Sequence, residues 1–276
     1  MQKVRFGVVG TNFISDWVIE GAREDPRFEL VAVCSRSRER GGEFAARHSI
    51  AHVFTSLDEM ASSPLIDAVY IASPNFMHAP QSILCMSRGK HVLCEKPLAS
   101  NAREAREMIE ASERYGVALM EAMKPTMTPH FKALADNLPR VGEVRRYFAS
   151  YCQYSSRYDR FKAGELPNAF NPKMSNGAIM DIGVYTIYPM VALFGRPDRI
   201  TASSVVLSSG VDGQGAVTFD YGGRMQATVL YSKIADSRLR SEIQGEQGLI
   251  SLDTINRMAD ITFTPRAVNL GGGKSV

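Results

Sequence analysis

A lysine in a strand-to-loop turn is the first residue in this sequence whose surroundings suggest proton chemistry. Lys96 lies in Cys94-Glu95-Lys96-Pro97, directly after a short apolar run typical of a buried strand. Proline disfavours the helical conformation of the residue before it, so this turn can aim the Lys96 ammonium into a crevice at the carboxyl edge of a parallel sheet. An exposed loop lysine is the alternative.

An aspartate and a tyrosine four residues apart form the second candidate group. Asp181 and Tyr185 lie in a largely apolar helical stretch, where residues at i and i+4 share one face. Asp181 is the only charged residue between Lys173 and Arg196. A carboxylate in apolar surroundings is costly unless it is paired, so we expect a lysine to face it. A purely structural Asp–Lys bridge is the alternative.

The first predicted strand leads into a turn that follows the dinucleotide-binding pattern G-x-G-x-x-G/A only in part. Gly10 matches, whereas asparagine and serine stand at positions 12 and 15. Asparagine tolerates the left-handed conformation better than most residues, and amides at the N-terminus of the next helix can hold phosphate. The candidate cofactor contacts here are Gly10, Thr11, Asn12, Phe13 and Ile14. An ordinary strand-to-helix turn explains the segment equally well.

The end of the second predicted strand reads Cys34-Ser35-Arg36-Ser37-Arg38 and contains no acidic residue. A site specific for NAD would place Asp or Glu here for the adenosine 2′-hydroxyl. Arginines at a helix N-terminus oppose the helix dipole, and a bound 2′-phosphate would reverse that cost. Ser35, Arg36 and Arg38 therefore favour NADP(H), with NAD(H) still possible. A solvated basic helix start is the alternative.

Polar groups after two later strands can line the same crevice. They are Ser73, Pro74, Asn75 and His78 after the third predicted strand, and Glu95 beside Lys96. Together with the first two strand ends they form the predicted cofactor site. His, Cys, Asp and Glu residues do not recur with the spacing of a metal site, so no metal is expected.

Strands and helices alternate in the first third of the chain. Apolar runs predict strands at 4–9, 28–34, 68–72, 91–94 and 117–120, and helices at 12–23, 38–47, 77–88 and 102–115. Gly89 and Gly116 lie where helix C-caps favour glycine. This alternation predicts an α/β fold whose N-terminal domain, residues 1–121, is a Rossmann-type doubly wound parallel sheet.

After residue 121 the pattern changes to consecutive strands. They are predicted at 143–154, 203–207, 216–221, 224–231, 238–244 and 249–252, separated by turn-like segments. Residues 122–276 are thus expected to form an α+β domain with a largely antiparallel open sheet in meander order. Its apolar helix is expected to begin at a cap by Ser175 or Asn176 and to kink or break at Pro189.

Composition argues against several classes of partner. The 276 residues carry 32 basic and 29 acidic side chains, and a net charge of +3 is too small to predict binding to nucleic acid or an anionic membrane. The longest stretch poor in charge, Met174 to Gly195, contains Asp181 and Pro189, so a membrane span is not expected. Four cysteines without CxxC pairing predict reduced thiols in a cytoplasmic protein.

Taken together, these motifs resemble the glucose–fructose oxidoreductase / inositol dehydrogenase family (Gfo/Idh/MocA) over nearly the whole chain. The matching pieces are Gly10, Ser35-Arg36, Pro74-Asn75 with His78, Glu95-Lys96-Pro97, Asp181-Ile182-Gly183-Val184-Tyr185, Gly195-Arg196-Pro197 and Gly245-Glu246-Gln247-Gly248. The tyrosine at 185 is similar to the glucose–fructose oxidoreductase and dimeric dihydrodiol dehydrogenase branches. Family members usually continue past this chain's end into a further strand and helix, so a natural and a truncated C-terminus both stay open.

The resemblance implies an NADP(H)-dependent oxidoreductase acting on a secondary alcohol or ketone of a sugar, polyol or cyclic diol. It implies Tyr185 as proton donor or acceptor, Lys96 as the cation that lowers the tyrosine pKa, and Asp181 as the holder of the ammonium or of a substrate hydroxyl. It also implies a cis Lys96–Pro97 bond and a homodimer or larger assembly through the second sheet. A non-catalytic dinucleotide-binding regulator of the same fold is the rival.

Overall fold

The computed structural model of the chain describes residues 3–267, which divide into two units between Ala122 and Met123. Each unit is built around a sheet of its own. The first sheet has six strands and the second has seven.

Parallel strands form the whole sheet of the first unit. In chain order they are β1 (Val4–Val9), β2 (Phe28–Cys34), β3 (His52–Phe54), β4 (Ala68–Ile71), β5 (His91–Cys94) and β6 (Leu119–Glu121). Their order across the sheet, β3-β2-β1-β4-β5-β6, is that of a doubly wound Rossmann-type fold, as predicted. The sequence pattern does not predict β3, because three residues that include a histidine carry too little apolar signal.

Helices bury both faces of this sheet. They are α1 (Phe13–Ala22), α2 (Arg38–His48), α3 (Leu57–Ser62), α4 (His78–Ser87) and α5 (Ala102–Tyr115). Two buried apolar clusters lie on opposite faces, and neighbouring strand residues such as Val8 and Val9 belong to different clusters. Burial on both faces explains why these strands are continuously apolar. Gly116 ends α5 in the left-handed conformation, as predicted.

The second sheet is mixed. Its strands are β7 (Val144–Cys152), β8 (Arg199–Val206), β9 (Asp212–Asp220), β10 (Gln226–Ser232), β11 (Ser241–Gly245), β12 (Gly248–Leu252) and β13 (Thr262–Pro265). Their order is β13-β12-β11-β7-β10-β9-β8. The predicted meander is wrong in one place, because β7 lies between β10 and β11 and pairs with β10 in parallel. Turn residues specify only the tight hairpins, whereas the longer connection after β10 lets the chain pass β7.

Helical segments of the second unit are α6 (Pro129–Asn137), α7 (Tyr158–Lys162) and α8 (Val184–Phe194). The predicted apolar helix begins with a π turn, Ile179–Gly183, which leads directly into α8. The expected caps at Ser175 and Asn176 are wrong, because the Asp212 carboxylate on β9 accepts the hydrogen bond from the Ile179 amide at 2.8 Å. Helix α8 also continues through Pro189, so the predicted break is wrong, while a kink there stays a prediction.

The segment Pro172–Phe194 is long and apolar enough to cross a membrane by length and composition alone. The core helix of a soluble protein passes the same test. Thr186 and Met190 are fully buried here, and Met190 belongs to the apolar cluster that includes Val229 of β10. The segment therefore covers the sheet of its own unit with one face, and the absence of a membrane partner stays a prediction.

Candidate active site

A cleft of about 530 Å³ opens at the carboxyl ends of β1, β2 and β4 in the first unit. The order of these strands reverses around β1, which is where doubly wound sheets bind ligands. Of the predicted cofactor residues, those that line this cleft are Gly10, Thr11, Asn12, Ser35, Arg36, Ser73 and Pro74. Those that do not line it are Phe13, Ile14, Arg38, Asn75, His78, Glu95 and Lys96. We call it the strand-end cleft.

Gly10 lets the turn after β1 pass close to the backbone that follows β4. Its φ of +104° belongs to the region that favours glycine, and a Cβ built there would lie 2.6 Å from the Ala72 carbonyl oxygen. The first glycine of the dinucleotide pattern is therefore required by the geometry of this turn, which fits a pyrophosphate at the start of α1.

Asn12 holds the turn in a way that its predicted role did not include. Its backbone is extended, with φ −93°, so the left-handed conformation is not used. Its Oδ1 accepts a hydrogen bond from the Ile14 amide at 2.9 Å, and its Nδ2 donates to the Ala72 carbonyl at 2.8 Å. The Ile14 amide is thus occupied, and the Ile14 side chain packs against the apolar core. Ile14 therefore has a structural role, and its role as a cofactor contact stays a prediction.

Two arginines around the start of α2 line the strand-end cleft. They are Arg36 and Arg40, whereas Arg38 does not line it, although all three side chains are exposed. Arg36 lies just before the Ser37 N-cap of α2, and Arg40 lies in the first turn of the helix, so the two arginines reach the cleft from either side of the cap. The cofactor role of Arg38 stays a prediction, and Arg40 is added as a further candidate. Ser37 caps α2 by accepting a hydrogen bond from the Arg40 amide at 3.3 Å.

Two buried polar atoms on the cleft wall have no hydrogen-bond partner within the part of the chain that the structure describes. They are Ser73 Oγ and Gln81 Oε1. Buried polar atoms normally find a partner, and each one left without costs about 1–3 kcal/mol. These orphaned groups, the tight turn at Gly10 and the two arginines fit a dinucleotide with a phosphorylated adenosine ribose.

The Glu95-Lys96-Pro97 loop lies at the end of β5 and carries the predicted cis Lys96–Pro97 bond, which is confirmed. Glu95 Oε1 accepts a hydrogen bond from the Tyr70 hydroxyl at 2.6 Å, and Oε2 accepts one from the Lys96 amide at 3.2 Å. Glu121, at the end of β6, accepts the Leu98 amide at 2.8 Å. Burial raises the pKa of the Glu121 carboxyl. These carboxyl groups hold the backbone on both sides of Lys96.

His78 connects this loop with the cleft wall. Its side chain is about 1% exposed, with Nδ1 2.8 Å from the Pro97 carbonyl oxygen and Nε2 2.9 Å from that of Ser73. A neutral imidazole has one N–H, so His78 donates to one of these carbonyls and only contacts the other. This gives His78 a positioning role, while its role as a cofactor contact stays a prediction. It ties the Lys96 loop to the wall that carries Ser73.

We expect His78→Asn to lower the free energy of unfolding by about 1–3 kcal/mol, because it leaves a buried carbonyl without its donor. Burial lowers the pKa of the His78 imidazole below its usual value near 6.5. The unfolded chain then binds the proton more tightly, so the His78 contribution is full above about pH 6.5 and is lost as the pH falls through the folded pKa. Urea unfolding at a series of pH values from about 8 to 5 measures both effects.

The matched control for this prediction is His130→Asn, since His130 is exposed on α6. His78→Asn should flatten the acid fall in stability relative to the wild type, and His130→Asn should leave it unchanged. Equal pH profiles for the two variants would contradict the positioning role.

Asp181 lies in the π turn that precedes α8, and a lysine faces it as expected. That lysine is Lys233, directly after β10, whose Nζ contacts Asp181 Oδ2. The Lys233 side chain is 6% exposed and that of Asp181 29%. The pair therefore has a buried cation and an accessible anion. π turns inside helices occur frequently at functional sites, because the widened turn displaces side chains from the regular helical positions.

Tyr185 begins the first turn of α8 beside a second tyrosine on β7. The rings of Tyr151 and Tyr185 pack edge to face with centroids 5.8 Å apart. The Tyr151 hydroxyl accepts a hydrogen bond from Asn256 Nδ2 at 3.1 Å and donates to Gln153 Oε1 at 3.3 Å. Two amides thus hold Tyr151, and Tyr151 in turn fixes one side of the Tyr185 ring.

Sequence reasoning missed four residues of these sites: Arg40, Gln81, Tyr151 and Lys233. Arg40 could have been found as the next basic residue after Arg36 and Arg38 at the start of α2. Lys233 was expected as a residue type but not as a position, because strand pairing brings it to Asp181 from 52 residues away. For Gln81 and Tyr151 the sequence carries no signal, since their roles depend on which strand ends and which helices meet.

A Rossmann-type sheet with a tight glycine turn and an arginine-lined cleft defines an NAD(P)-binding protein. A model of the "Oxidoreductase family, NAD-binding Rossmann fold" matches residues 4–123, and one of the "GFO/IDH/MocA C-terminal domain" matches residues 139–251. The chain belongs to the Gfo/Idh/MocA family of oxidoreductases. It is an NAD(P)-dependent enzyme that acts on CH–OH groups, as the sequence predicted, and the non-catalytic alternative is set aside.

Three known proteins illustrate the similarity. The scyllo-inositol 2-dehydrogenase (NADP(+)) of Bacillus subtilis (strain 168) is 56% identical over 254 residues, covering 92% of this chain and 77% of the relative. The trans-1,2-dihydrobenzene-1,2-diol dehydrogenase of Danio rerio is 33% identical over 257 residues, 90% of this chain and 74% of the relative. The WlbA dehydrogenase of Bordetella pertussis, solved with NADH and UDP-GlcNAcA, shares the fold with a TM-score of 0.84 at 20% identity, covering 98% of this chain and 79% of that one.

Proposed function

We propose that this protein is an NADP(H)-dependent dehydrogenase of a cyclic polyol or diol, with scyllo-inositol as the first candidate substrate. The observation that carries the proposal is the pairing of an accessible, lysine-bound Asp181 with Tyr185 one helical turn later. An ionised carboxylate accepts hydrogen bonds from hydroxyl groups, and a phenol can exchange a proton with a reacting oxygen. The named relatives that act on scyllo-inositol and on a cyclic diol support the same substrate class.

The proposed residue roles follow the chemistry of alcohol oxidation. When bound, NADP⁺ supplies the hydride acceptor at nicotinamide C4. The phenolate form of Tyr185 takes the proton from the reacting hydroxyl and becomes the phenol, and Asp181 accepts a hydrogen bond from a substrate hydroxyl. Lys96 is the cation that assists the proton transfer. Ser35, Arg36 and Arg40 bind the 2′-phosphate, which makes NADP(H) the preferred cofactor.

A panel of cyclic alcohols tests this proposal. The purified protein is mixed with NADP⁺ or NAD⁺ and with scyllo-inositol, myo-inositol, glucose or trans-1,2-cyclohexanediol, and the formation of reduced cofactor is followed by absorbance. Turnover with NADP⁺ and at least one cyclic polyol or diol is expected. Activity confined to glucose, or to NAD⁺, would contradict it.

We also propose that the protein self-associates through the second sheet. Every residue of edge strand β8 is exposed, including the large apolar side chains Ile200, Val205 and Val206. An exposed apolar edge strand is prone to pair with another chain unless it is covered. A second copy of this sheet would cover it.

We expect the wild-type protein to have at least about twice the chain mass of 30.4 kDa in light scattering. Ile200 and Val206 lie on the same face of β8, so Ile200→Lys/Val206→Lys should shift the protein to the monomer mass. Ile109→Lys is the control, because Ile109 is an exposed apolar residue of the first unit. A wild type that is already monomeric would rule out this assembly.

A cytoplasmic location is proposed from the thiols. Cys34, Cys85, Cys94 and Cys152 are all free, and burial raises the pKa of Cys85 and Cys94 to about 12. Such thiols resist oxidation and suit a reducing compartment. Cell fractionation of the tagged protein tests the location, and recovery outside the cytoplasmic fraction would contradict it.

A further inference from the structure

Lys233 is a buried charged side chain to which the proposed mechanism assigns no task. Its backbone is held on both sides, since its amide donates to the Gly213 carbonyl at 2.9 Å and its carbonyl accepts from the Ser155 amide at 2.9 Å. Its ammonium contacts Asp181 Oδ2 and lies 5.7 Å from the centroid of the Phe170 ring. Phe170 is itself fully buried. The ammonium therefore sits between a carboxylate and an aromatic face.

Stability alone is a weak reason for this arrangement. Bringing an ammonium out of water costs several kcal/mol, and well-packed apolar residues of similar volume stabilise a fold as well as or better than a buried ion pair. The two partners also differ in exposure, because the Lys233 side chain is buried while the Asp181 side chain is 29% exposed. What the lysine does provide is an ionised Asp181 side chain held in one position.

We propose that Lys233 is a substrate-positioning residue, which fixes the Asp181 carboxylate so that it accepts a hydroxyl next to the reacting carbinol. The substrate class is thereby vicinal diols rather than isolated secondary alcohols. The Asp181 carboxylate, whose charge Lys233 balances, can only accept hydrogen bonds. The substrate hydroxyl next to the reacting carbinol is a suitable donor. The inference rests on the proposed function, because it concerns the substrate of the same site.

The test compares scyllo-inositol, which has a hydroxyl on every ring carbon, with cyclohexanol, which has one. Lys233→Met keeps the length of the side chain and removes its charge. Since a hydrogen bond to a charged group is worth about a factor of ten to one hundred, Lys233→Met should lower kcat/KM for scyllo-inositol by about that factor, mainly through KM. Cyclohexanol turnover should change less than about threefold. Lys162→Met is the control, because Lys162 is an exposed lysine of the same unit, paired with Asp159.

Binding is measured alongside turnover. Complexes with NADPH cannot oxidise an alcohol, so calorimetry gives the affinity for scyllo-inositol without reaction. The same loss of affinity in Lys233→Met would support the inference even if the turnover assay fails, in which case only the proposed function is rejected. An unchanged preference for scyllo-inositol over cyclohexanol in folded Lys233→Met would overturn the inference and leave the proposed function intact.

A pair of variants covers the case in which Lys233→Met does not fold. Asp181→Asn and Asp181→Asn/Lys233→Met differ only in Lys233, and the double variant buries no unbalanced charge. If Lys233 acts through Asp181, the two should bind scyllo-inositol within about twofold of each other, and both should bind it at least about tenfold more weakly than the wild type. A further large loss in the double variant would overturn the inference, because Lys233 would then act on the substrate by itself.

Discussion

Replacing Tyr185 by phenylalanine should lower kcat for scyllo-inositol oxidation by about 10²–10⁴-fold, the usual contribution of a general acid or base. The change removes one hydroxyl and keeps the ring, so the edge-to-face contact with Tyr151 is retained. Shape and apolar burial stay nearly the same, which means that the loss reports chemistry rather than folding. Steady-state kinetics with NADP⁺ measures the change in kcat. A primary isotope effect with scyllo-inositol deuterated at its ring carbons shows whether hydride transfer limits the rate.

Two measurements control this experiment. NADPH affinity, followed by fluorescence, should be unchanged in Tyr185→Phe, because the strand-end cleft belongs to the first unit. Tyr115→Phe should keep full activity, since Tyr115 is an exposed residue of α5. If Tyr185→Phe keeps near-full kcat while hydride transfer is rate-limiting, then Tyr185 does not carry the proton, and Lys96 becomes the leading candidate.

Removing both cleft arginines should reverse the cofactor preference. Each charge-assisted contact with a phosphate is worth about 1.5–3 kcal/mol, so Arg36→Ala should weaken NADPH binding about tenfold or more, and Arg36→Ala/Arg40→Ala about a hundredfold or more. NADH has no 2′-phosphate, so its affinity should change little. Fluorescence titration with both reduced cofactors measures the change as a ratio of dissociation constants.

Arg38→Ala provides a matched control for these variants. Arg38 lies between the two arginines in sequence and is exposed, but it does not line the strand-end cleft. It should therefore retain the wild-type preference apart from a small long-range charge effect. Equal affinity of the wild type for NADH and NADPH would contradict the assignment of this site to the 2′-phosphate. A larger loss of NADPH affinity in Arg38→Ala than in Arg40→Ala would favour Arg38 as the phosphate-binding residue.

Local signals were sufficient where one segment determines the feature. The glycine at position 10 was identified from the strand before it and the helix after it, and Gly116 from the end of α5. Asp181 and Tyr185 were selected because a single charge in an apolar helix must have a reason. Local signals were insufficient where a position depends on a neighbouring turn. The basic segment predicts Arg36 and Arg38, whereas the structure also brings Arg40 to the cleft beside Arg36.

The strand order of the second sheet also depends partly on local turns and partly on pairing between distant segments. Glycine-rich turns predict hairpins, and β8, β9 and β10 do form them. The insertion of β7 between β10 and β11 is a long-range pairing, for which no local residue pattern exists.

The amino-acid sequence by itself determined the class of this protein, because alternating periodicity, a glycine at one strand end and an acid-free basic segment at the next are local consequences of binding a phosphorylated dinucleotide. Only the tertiary structure decided which groups complete each site. Lys233 reaches Asp181 because β10 packs against the π turn, and His78 holds the Lys96 loop because α4 begins beside β5. These contacts join residues far apart in the chain, and their energies depend on burial and direction, which no local pattern of residue types encodes.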